Sequence, residues 1–302
     1  MRLSSLILGG VCLLAVPAWG QQRPLKTDDA DLVPVGRIRI ETGVEFLQNQ
    51  RYSISGLEGD LARLGTTSIH VGVGEYAEFQ ISGVFQDFLA VSKRNTPAIP
   101  PSFSGNTTSD FGDLVLASKF RFTREKGYRP AIGFKFAVEL PNAKHDSGLG
   151  NDETEFYSSL LASKHYRSVW LLANVGLSIL PSPILLGRQA DMTTYGFGMI
   201  IPVGRRINLA ADINGRVGPV RQGNEAQSVM RAGIQIWTGS IRWDVAGIAG
   251  FKPYDADSGV TVGLTYEFQG FHKKREQDSP KLPELPPPAL VHPDRGWSGP
   301  RS

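Results

Sequence analysis

The fold is decided by a stretch that reads PAIGFKFAVELP over residues 130–141. Apolar residues recur at every second position from Ile132 to Leu140, and small or charged residues such as Lys135 and Glu139 occupy the positions between them. Successive side chains of a β-strand point to opposite faces of the sheet. The stretch is therefore predicted to be a strand with one apolar and one polar face.

Alternation of this kind has two ordinary sources. One is an antiparallel sheet in a soluble secreted protein, which turns its apolar face to the core. The other is an outer-membrane barrel, which turns its apolar face to lipid and its polar face to the lumen. The rest of the chain has to decide between them.

The same pattern recurs from Gly36 to Phe268 and predicts about twelve strands of about ten residues each. The connections alternate in length, and most of the short ones have two to four residues. The predicted long connections are 48–65, 92–109, 141–153, 181–191, 217–226 and 251–258. Short turns at one end and long loops at the other are typical of bacterial outer-membrane barrels. We therefore predict an all-β fold, a single antiparallel transmembrane β-barrel of about twelve strands with periplasmic N- and C-termini.

Ionisable side chains fall on the face opposite to the apolar one, where a lumen could hydrate and pair them. The residues expected to line the lumen are Arg39, Glu41, Glu45, His70, Glu78, Asp113, Lys119, Arg121, Lys135, Glu139, Asp212, Arg231, Arg242, Asp244 and Glu267. They either form ion pairs that stiffen the barrel or define a path for a solute, and the sequence leaves both interpretations open. Because their signs are mixed, strong anion or cation selectivity is not expected. Twelve strands lie between a barrel filled by side chains and an open aqueous channel, so the pore is either narrow or blocked by inward loops.

The ends of the chain differ in character from the alternating part. Residues 1–20 have a charged start, an apolar core and small residues at the end, which predicts a secretory signal peptide. Residues 21–35 are polar and proline-bearing and are predicted to be an extended periplasmic lead-in. Residues 36–268 form the predicted barrel, and 269–302 a proline-rich, disordered periplasmic tail. The expected location is the outer membrane of a Gram-negative-type bacterium.

Composition excludes several classes of function. The formal net charge is only +3 and the basic residues are scattered, so no nucleic-acid partner is expected. The single cysteine, Cys12, falls inside the predicted signal, which leaves no thiol or disulfide in the mature chain. No histidine spacing suggests zinc. The acidic stretch Asp152–Glu155 is interpreted as a solvated loop rather than a calcium site. No cofactor is expected.

A catalytic nucleophile would need a base within hydrogen-bond reach. His70 is the only histidine predicted on an inward strand face, and Ser68 shares that face. Two residues along a strand amount to about 7 Å, which we take as too far for that bond. His145, Asp146 and Ser147 share a polar loop, which is a common composition. We therefore expect the chain not to be an enzyme.

Several motifs resemble the outer-membrane barrels known as putative phenol-degradation (MetA-pathway) proteins, which are commonly described as transporters. The likeness is most specific over 110–164, and the proline-rich tail beyond Phe268 departs from it. The segments that carry it are 112–114, 117–120, 129–131, 138–141, 148–150 and 160–164, with 23–25, 27–31 and 34–37 in the lead-in. The resemblance implies an outer-membrane location and passage of small compounds, aromatic ones among them.

Together these observations predict an outer-membrane channel or transporter for small molecules, aromatic or hydrophobic ones among them. The alternative is a structural or surface-interaction barrel with a closed lumen, and a remote third is a lipid-modifying enzyme. The expected partners are outer-membrane lipid, a small-molecule solute, and the barrel-assembly machinery and periplasmic chaperones during insertion.

Overall fold

The computed structural model describes residues 23–271. The predicted signal peptide and the predicted tail after Phe271 lie outside these residues. The strands are β1 Arg37–Arg51, β2 Leu57–Gly72, β3 Ala77–Arg94, β4 Thr107–Asp110, β5 Leu114–Thr123, β6 Ala131–Leu140, β7 Glu155–Tyr166, β8 Val169–Pro181, β9 Gln189–Pro202, β10 Ile207–Val217, β11 Gln227–Thr238, β12 Ile241–Gly250 and β13 Ser258–Gln269. One 3₁₀ turn spans His145–Ser147. No helix among the described residues is long and apolar enough to cross a membrane.

Within residues 23–271, twelve of the strands form one closed antiparallel barrel, so the predicted fold class is confirmed. Each strand pairs with its neighbours in the chain, and β1 pairs with β13 from Arg37↔Gln269 to Gln48↔Ser258 to close the ring. The short strand β4 stands outside the ring and pairs with β3 alone. Closure leaves no open sheet edge, which is what allows a sheet to lie in lipid.

The two ends of the barrel differ. At the end where β1 begins and β13 finishes, called the terminal end here, the strands are joined by turns such as 167–168 and 239–240. At the opposite loop end the connections are 52–56, 95–113, 141–154, 182–188, 218–226 and 251–257. The loop predicted over 48–65 is wrong, because β1 runs to Arg51 and β2 starts at Leu57. Gly59 and Gly65 interrupt the alternation of apolar and polar residues in this range, but β2 continues through both of them. Gly65 takes φ +65° beside an irregularity in the β1–β2 register.

Outward-facing side chains form an apolar band around the barrel. Val175, Leu177 and Phe197 are exposed on the outside, whereas Trp170, Leu172 and Ile200 on the same strands are buried inside. Aromatic residues of the outer surface are found near strand ends, where Tyr266 stacks on Phe268 with ring centroids 5.7 Å apart. The arrangement is that of a barrel whose outer surface suits lipid and whose inner surface is polar.

An arginine placed in the middle of this outer band should be costly. Val175 lies near the centre of β8 and is 54% exposed. Val175→Arg is expected to lower the free energy of unfolding in phospholipid vesicles by about 2–4 kcal/mol, because the charge is forced towards the bilayer midplane. The matched control is Val203→Arg in the turn before β10, where the same change should cost about 0–1 kcal/mol. Equal costs, measured by urea titration, would contradict a membrane-spanning band.

Candidate functional site

The candidate site is the interior of the barrel, and its main feature is a chain segment that the sequence prediction placed elsewhere. Residues 23–34, named the luminal segment here, were predicted as part of a periplasmic lead-in. In the structure Leu25, Ala30 and Val33 are almost fully buried, and the segment is hydrogen-bonded to the inner faces of strands on all sides of the barrel. The lead-in prediction is therefore corrected: the segment lies in the lumen and not outside it.

Carboxylates of the luminal segment meet cations on the inner wall. Asp28 Oδ2 lies 2.9 Å from Lys135 Nζ, and Asp31 Oδ1 lies 3.3 Å from Arg121 Nη1. Asp29 Oδ1 lies 3.6 Å from Lys119 Nζ in a fully buried position. An opposite charge stabilises each of these groups where water is largely excluded. Three acidic residues of the segment thus lie against three cations on two neighbouring strands, β5 and β6.

Its backbone is held by acceptors on the wall as well. Asp212 Oδ2 accepts hydrogen bonds from Lys26 N at 2.9 Å and from both the backbone and the hydroxyl of Thr27 at 2.8 and 2.9 Å. Asn174 accepts from Asp28 N and donates to Asp28 O, both at 2.8 Å. Glu78 Oε2 accepts from Val33 N at 2.6 Å. Irregular backbone inside a barrel needs such partners, because a buried unpaired amide is costly.

The start of the segment is anchored by Arg23 near the middle of the barrel. Its Nη1 donates to Thr66 Oγ1 and its Nη2 to Thr261 Oγ1, both at 2.9 Å, while Nε lies 3.4 Å from Asp244 Oδ1. Gln235 Nε2 donates to the backbone oxygen of Arg23 at 2.7 Å. Further along, Leu25 packs on a buried apolar cluster. The cluster partners of Leu25 are Trp170, Leu172, Ile200 and Ala210.

All the side chains predicted to line the lumen lie on the inner wall. Arg39, Glu41, Glu45, His70, Glu78, Lys119, Asp212, Arg231, Arg242 and Asp244 are buried there. Asp113, Lys135 and Glu139 line a cavity between the luminal segment and the loop end, and Arg121 lines the opening at the terminal end. Glu267 forms ion pairs with two arginines: its Oε1 lies 2.9 Å from Arg37 Nε, and its Oε2 lies 2.6 Å from Arg39 Nη2. Ion pairing among wall residues is therefore extensive, as in Arg242 with Glu41 at 3.3 Å.

The cavity between the luminal segment and the loops, called the chamber here, has a volume of about 530 Å³. One part of its wall is apolar, with Leu47, Leu61 and Leu149 beside the ring of Tyr52. The other part carries charged groups of both signs. The charged residues on this wall are Arg23, Lys26, Glu41, Glu45, Arg63, Asp87, Asp113, Lys135 and Glu139.

The loops over the chamber are tied to one another. Ser102 Oγ donates to Asp146 Oδ1 at 2.6 Å, and Gln222 Nε2 donates to Ser53 O at 2.8 Å. Ser55 Oγ donates to Gly148 O at 2.7 Å. These contacts join the loops 52–56, 95–113, 141–154 and 218–226 to one another. The four loops together cover part of the chamber at the loop end.

The structure also overturns one distance argument made from the sequence. Ser68 Oγ lies 2.9 Å from His70 Nε2, and His70 Nδ1 lies 3.0 Å from Glu78 Oε1. The spacing of about 7 Å applies to the backbone positions, whereas the two side chains lean towards each other along the strand. The sequence signal that could have found them is that Ser68, His70 and Glu78 all belong to inward faces of adjacent strands.

Comparison with known proteins supports the fold. No family model matches the chain, no curated protein does, and the family resemblance drawn from the motifs therefore stays a prediction. Among solved structures, the chain is similar to an outer-membrane channel from Pseudomonas putida F1, with 14% identity, TM-score 0.54, 80% of this chain and 98% of that one covered. It is also matched to the translocator domain of the autotransporter NalP from Neisseria meningitidis, at 13% identity and TM-score 0.48 over 79% and 91% of the two chains.

Removing the acceptor at Asp212 should loosen the luminal segment. Asp212→Ala removes the acceptor of three donors, two of them buried on Thr27. Each buried unpaired donor costs about 1–3 kcal/mol, so amide hydrogen exchange in residues 23–34 should become at least about tenfold faster. Mass spectrometry of the peptide that contains Thr27 measures this rate. Asp191→Ala, at an exposed position of β9, should leave it unchanged. Unchanged exchange in Asp212→Ala would show that the segment is held by other contacts.

The stability of the luminal segment in its position inside the barrel should also depend on pH, because Asp29 titrates. Burial raises the pKa of this carboxyl from 3.8 to about 7, and the nearby Lys119 opposes the rise only in part. A folded-state pKa above the unfolded value means that the contribution of Asp29 to stability is lost as pH rises from about 4 through 7. Exchange in the segment, corrected for the intrinsic pH effect, should be slower at pH 5 than at pH 8.

Asp29→Asn should remove most of that difference, because the amide does not titrate. Asp191→Asn serves as the control and should behave like the unchanged protein. A pH dependence that survives in Asp29→Asn would assign it to another group.

Proposed function

We propose that this chain is an outer-membrane channel that admits small, largely apolar solutes with one polar group, such as phenols and aromatic acids, into the chamber. The observation that carries the proposal is a cavity of about 530 Å³ inside a closed barrel, apolar on one part of its wall and charged on the other. A volume of this size falls in the range of small-molecule sites, which are mostly apolar with a few placed polar groups. The terminal end of the barrel then faces the periplasm.

Most of the chamber wall is polar, and its smaller apolar part can hold one ring of a small aromatic solute. Leu47, Leu61 and Tyr52 offer a face on which a single ring can pack. On the charged part, Arg63 Nε lies 3.2 Å from Asp87 Oδ1. Glu139 lines the cavity and can accept a hydrogen bond from a hydroxyl of a solute. Cations and anions that pair with each other create little net field, so a strong preference for ions of one sign is not expected.

The luminal segment favours a second candidate, a structural barrel with a closed lumen. Its ion pairs and hydrogen bonds reach strands on all sides of the inner wall, and the segment occupies the lumen between them. The two candidates differ in whether solute moves at all. Conductance and uptake decide between them.

The test is conductance of the folded protein in a planar bilayer, together with uptake of phenol into vesicles that contain it. We expect a small steady conductance that phenol or benzoate reduces. Leu61→Trp fills the chamber and should lower both conductance and phenol uptake several-fold. Leu64→Trp, on the outer face of the same strand, is the matched control and should leave both unchanged.

A correctly folded barrel, shown by heat-modifiable migration, that gives neither conductance nor uptake would reject the channel and favour the structural barrel. Equal loss in both tryptophan variants would place the effect in the fold and not in the chamber.

A further inference from the structure

Three side chains on the inner wall stand in the order that nucleophilic catalysis requires. The hydroxyl of Ser68 lies 2.9 Å from His70 Nε2, and the opposite ring nitrogen, Nδ1, lies 3.0 Å from Glu78 Oε1. A nucleophile, a base on one ring nitrogen and a carboxylate on the other make up the arrangement that recurs on unrelated folds in acyl transfer. Such a triad is recognised by geometry and not by sequence order.

The surroundings of Glu78 fix the direction of these hydrogen bonds. Its Oε1 also accepts from Gln80 Nε2 at 2.8 Å, its Oε2 accepts from Val33 N at 2.6 Å, and Lys119 Nζ lies 3.8 Å away. A carboxylate surrounded by donors is ionised and can only accept, so His70 Nδ1 must carry the proton. In the neutral ring Nε2 is then bare and accepts from the Ser68 hydroxyl, which is the tautomer of a general base.

Of the three side chains, only the nucleophile Ser68 is accessible from the chamber. His70 and Glu78 are almost completely buried, whereas Ser68 is only half-buried and forms part of the chamber wall. A small molecule in the chamber can therefore approach the hydroxyl oxygen and nothing behind it. The base is screened from bulk water, which strengthens its contact with the carboxylate.

Positive charge lies on the same side of the chamber. Arg23 donates to Thr66 Oγ1 at 2.9 Å, and Thr66 is two residues from Ser68 on the inner face of β2. Lys26 lines the chamber as well. Fixed cations near a reacting carbonyl stabilise the negative oxygen that develops during attack. The luminal segment, which carries both residues, would thus complete the site.

A purely structural role explains only part of this arrangement. Glu78 seats the backbone of Val33, and Lys119 balances its charge. Neither contact needs a serine hydroxyl on the far side of the imidazole. Gln80, on the neighbouring inward position, donates to Glu78 Oε1 as well.

We propose that Ser68 is an activated nucleophile that cleaves small carboxylic esters entering the chamber. Ser68 Oγ bonds to the carbonyl carbon while its proton moves to His70 Nε2, and the ester C–O bond breaks as the departing alcohol oxygen takes that proton. Water then attacks the acyl-serine, gives its proton to Nε2 and releases the acid, and the serine oxygen recovers the proton. A chamber of about 530 Å³ limits the substrate to short-chain or single-ring esters. This activity goes beyond transport and needs only entry of a small ester from one side.

The test uses the folded full-length protein with 4-nitrophenyl acetate as substrate and diisopropyl fluorophosphate as a covalent probe. The probe forms an O–P bond with the serine and releases fluoride, and peptide mass spectrometry locates it. We expect label on Ser68, none in Ser68→Ala, and hydrolysis that falls about 10²–10⁴-fold in His70→Gln. Glu78→Gln should weaken both reactions, because the amide no longer holds the imidazole in the basic tautomer.

Ser82 provides the matched control. It is the register partner of Ser68 on β3 and faces the same chamber, and among residues 23–271 no hydrogen bond joins it to a histidine. Ser82→Ala should keep the label on Ser68, because Ser82 takes no part in activating that hydroxyl. Each variant is first checked for heat-modifiable migration, and His70→Asn replaces His70→Gln if the latter does not fold.

Access to the chamber is measured separately with Ser82→Cys and iodoacetamide. If that cysteine is alkylated and Ser68 is labelled no more than other serines, the serine is not activated and the proposal is overturned. If the cysteine is not alkylated in the folded protein, small reagents do not enter, and the proposal is overturned for that reason. Conductance without esterase activity leaves the channel intact, so failure here is distinct from failure of transport.

Discussion

The structure depends on how a narrow barrel satisfies the ionisable groups on its inner wall. Lys119 and Glu78 are completely buried, and water alone cannot hydrate such groups in a lumen filled with side chains. Leaving one member of a buried ion pair without its partner costs about 3–5 kcal/mol. The wall strands supply some partners, as in Arg39 with Glu267 at 2.6 Å. The luminal segment supplies others, as in Asp28 with Lys135 and Arg23 with Asp244, so wall and segment share one set of ion pairs.

This dependence explains which parts of the fold could be predicted from the sequence. A strand between lipid and a polar lumen must alternate at every second residue, and Ile132 to Leu140 on β6 does so without a break. The strand count and the inward positions of Arg39 or Lys135 follow from that rule alone. The extended β1 and β2 did not follow from it, because Gly59 and Gly65 interrupt the apolar pattern while β2 continues through them.

The luminal segment could not be predicted by the same rule, because it has no periodicity. Its binding to the wall uses single contacts, such as Thr27 with Asp212 and Asp28 with Asn174, that join residues more than 140 positions apart. A polar, proline-bearing stretch of this kind is typical of a linker. The only signal in the sequence is charge: Asp28, Asp29 and Asp31 equal Lys135, Lys119 and Arg121 in number and are opposite to them in sign. Such complementarity becomes decisive only when the geometry of the ring is known.

The candidate chemistry of the chamber has the same origin. Glu78 is placed where it can hold Val33 of the segment, and this placement also orients His70 towards Ser68. The backbone spacing along β2 does not reveal the contact, because it depends on the side-chain directions that the buried carboxylate imposes. The segment therefore does more than narrow the pore. By donating to Glu78 from Val33 N and bringing Arg23 to the wall beside Thr66, it helps to orient the groups that any solute in the chamber meets.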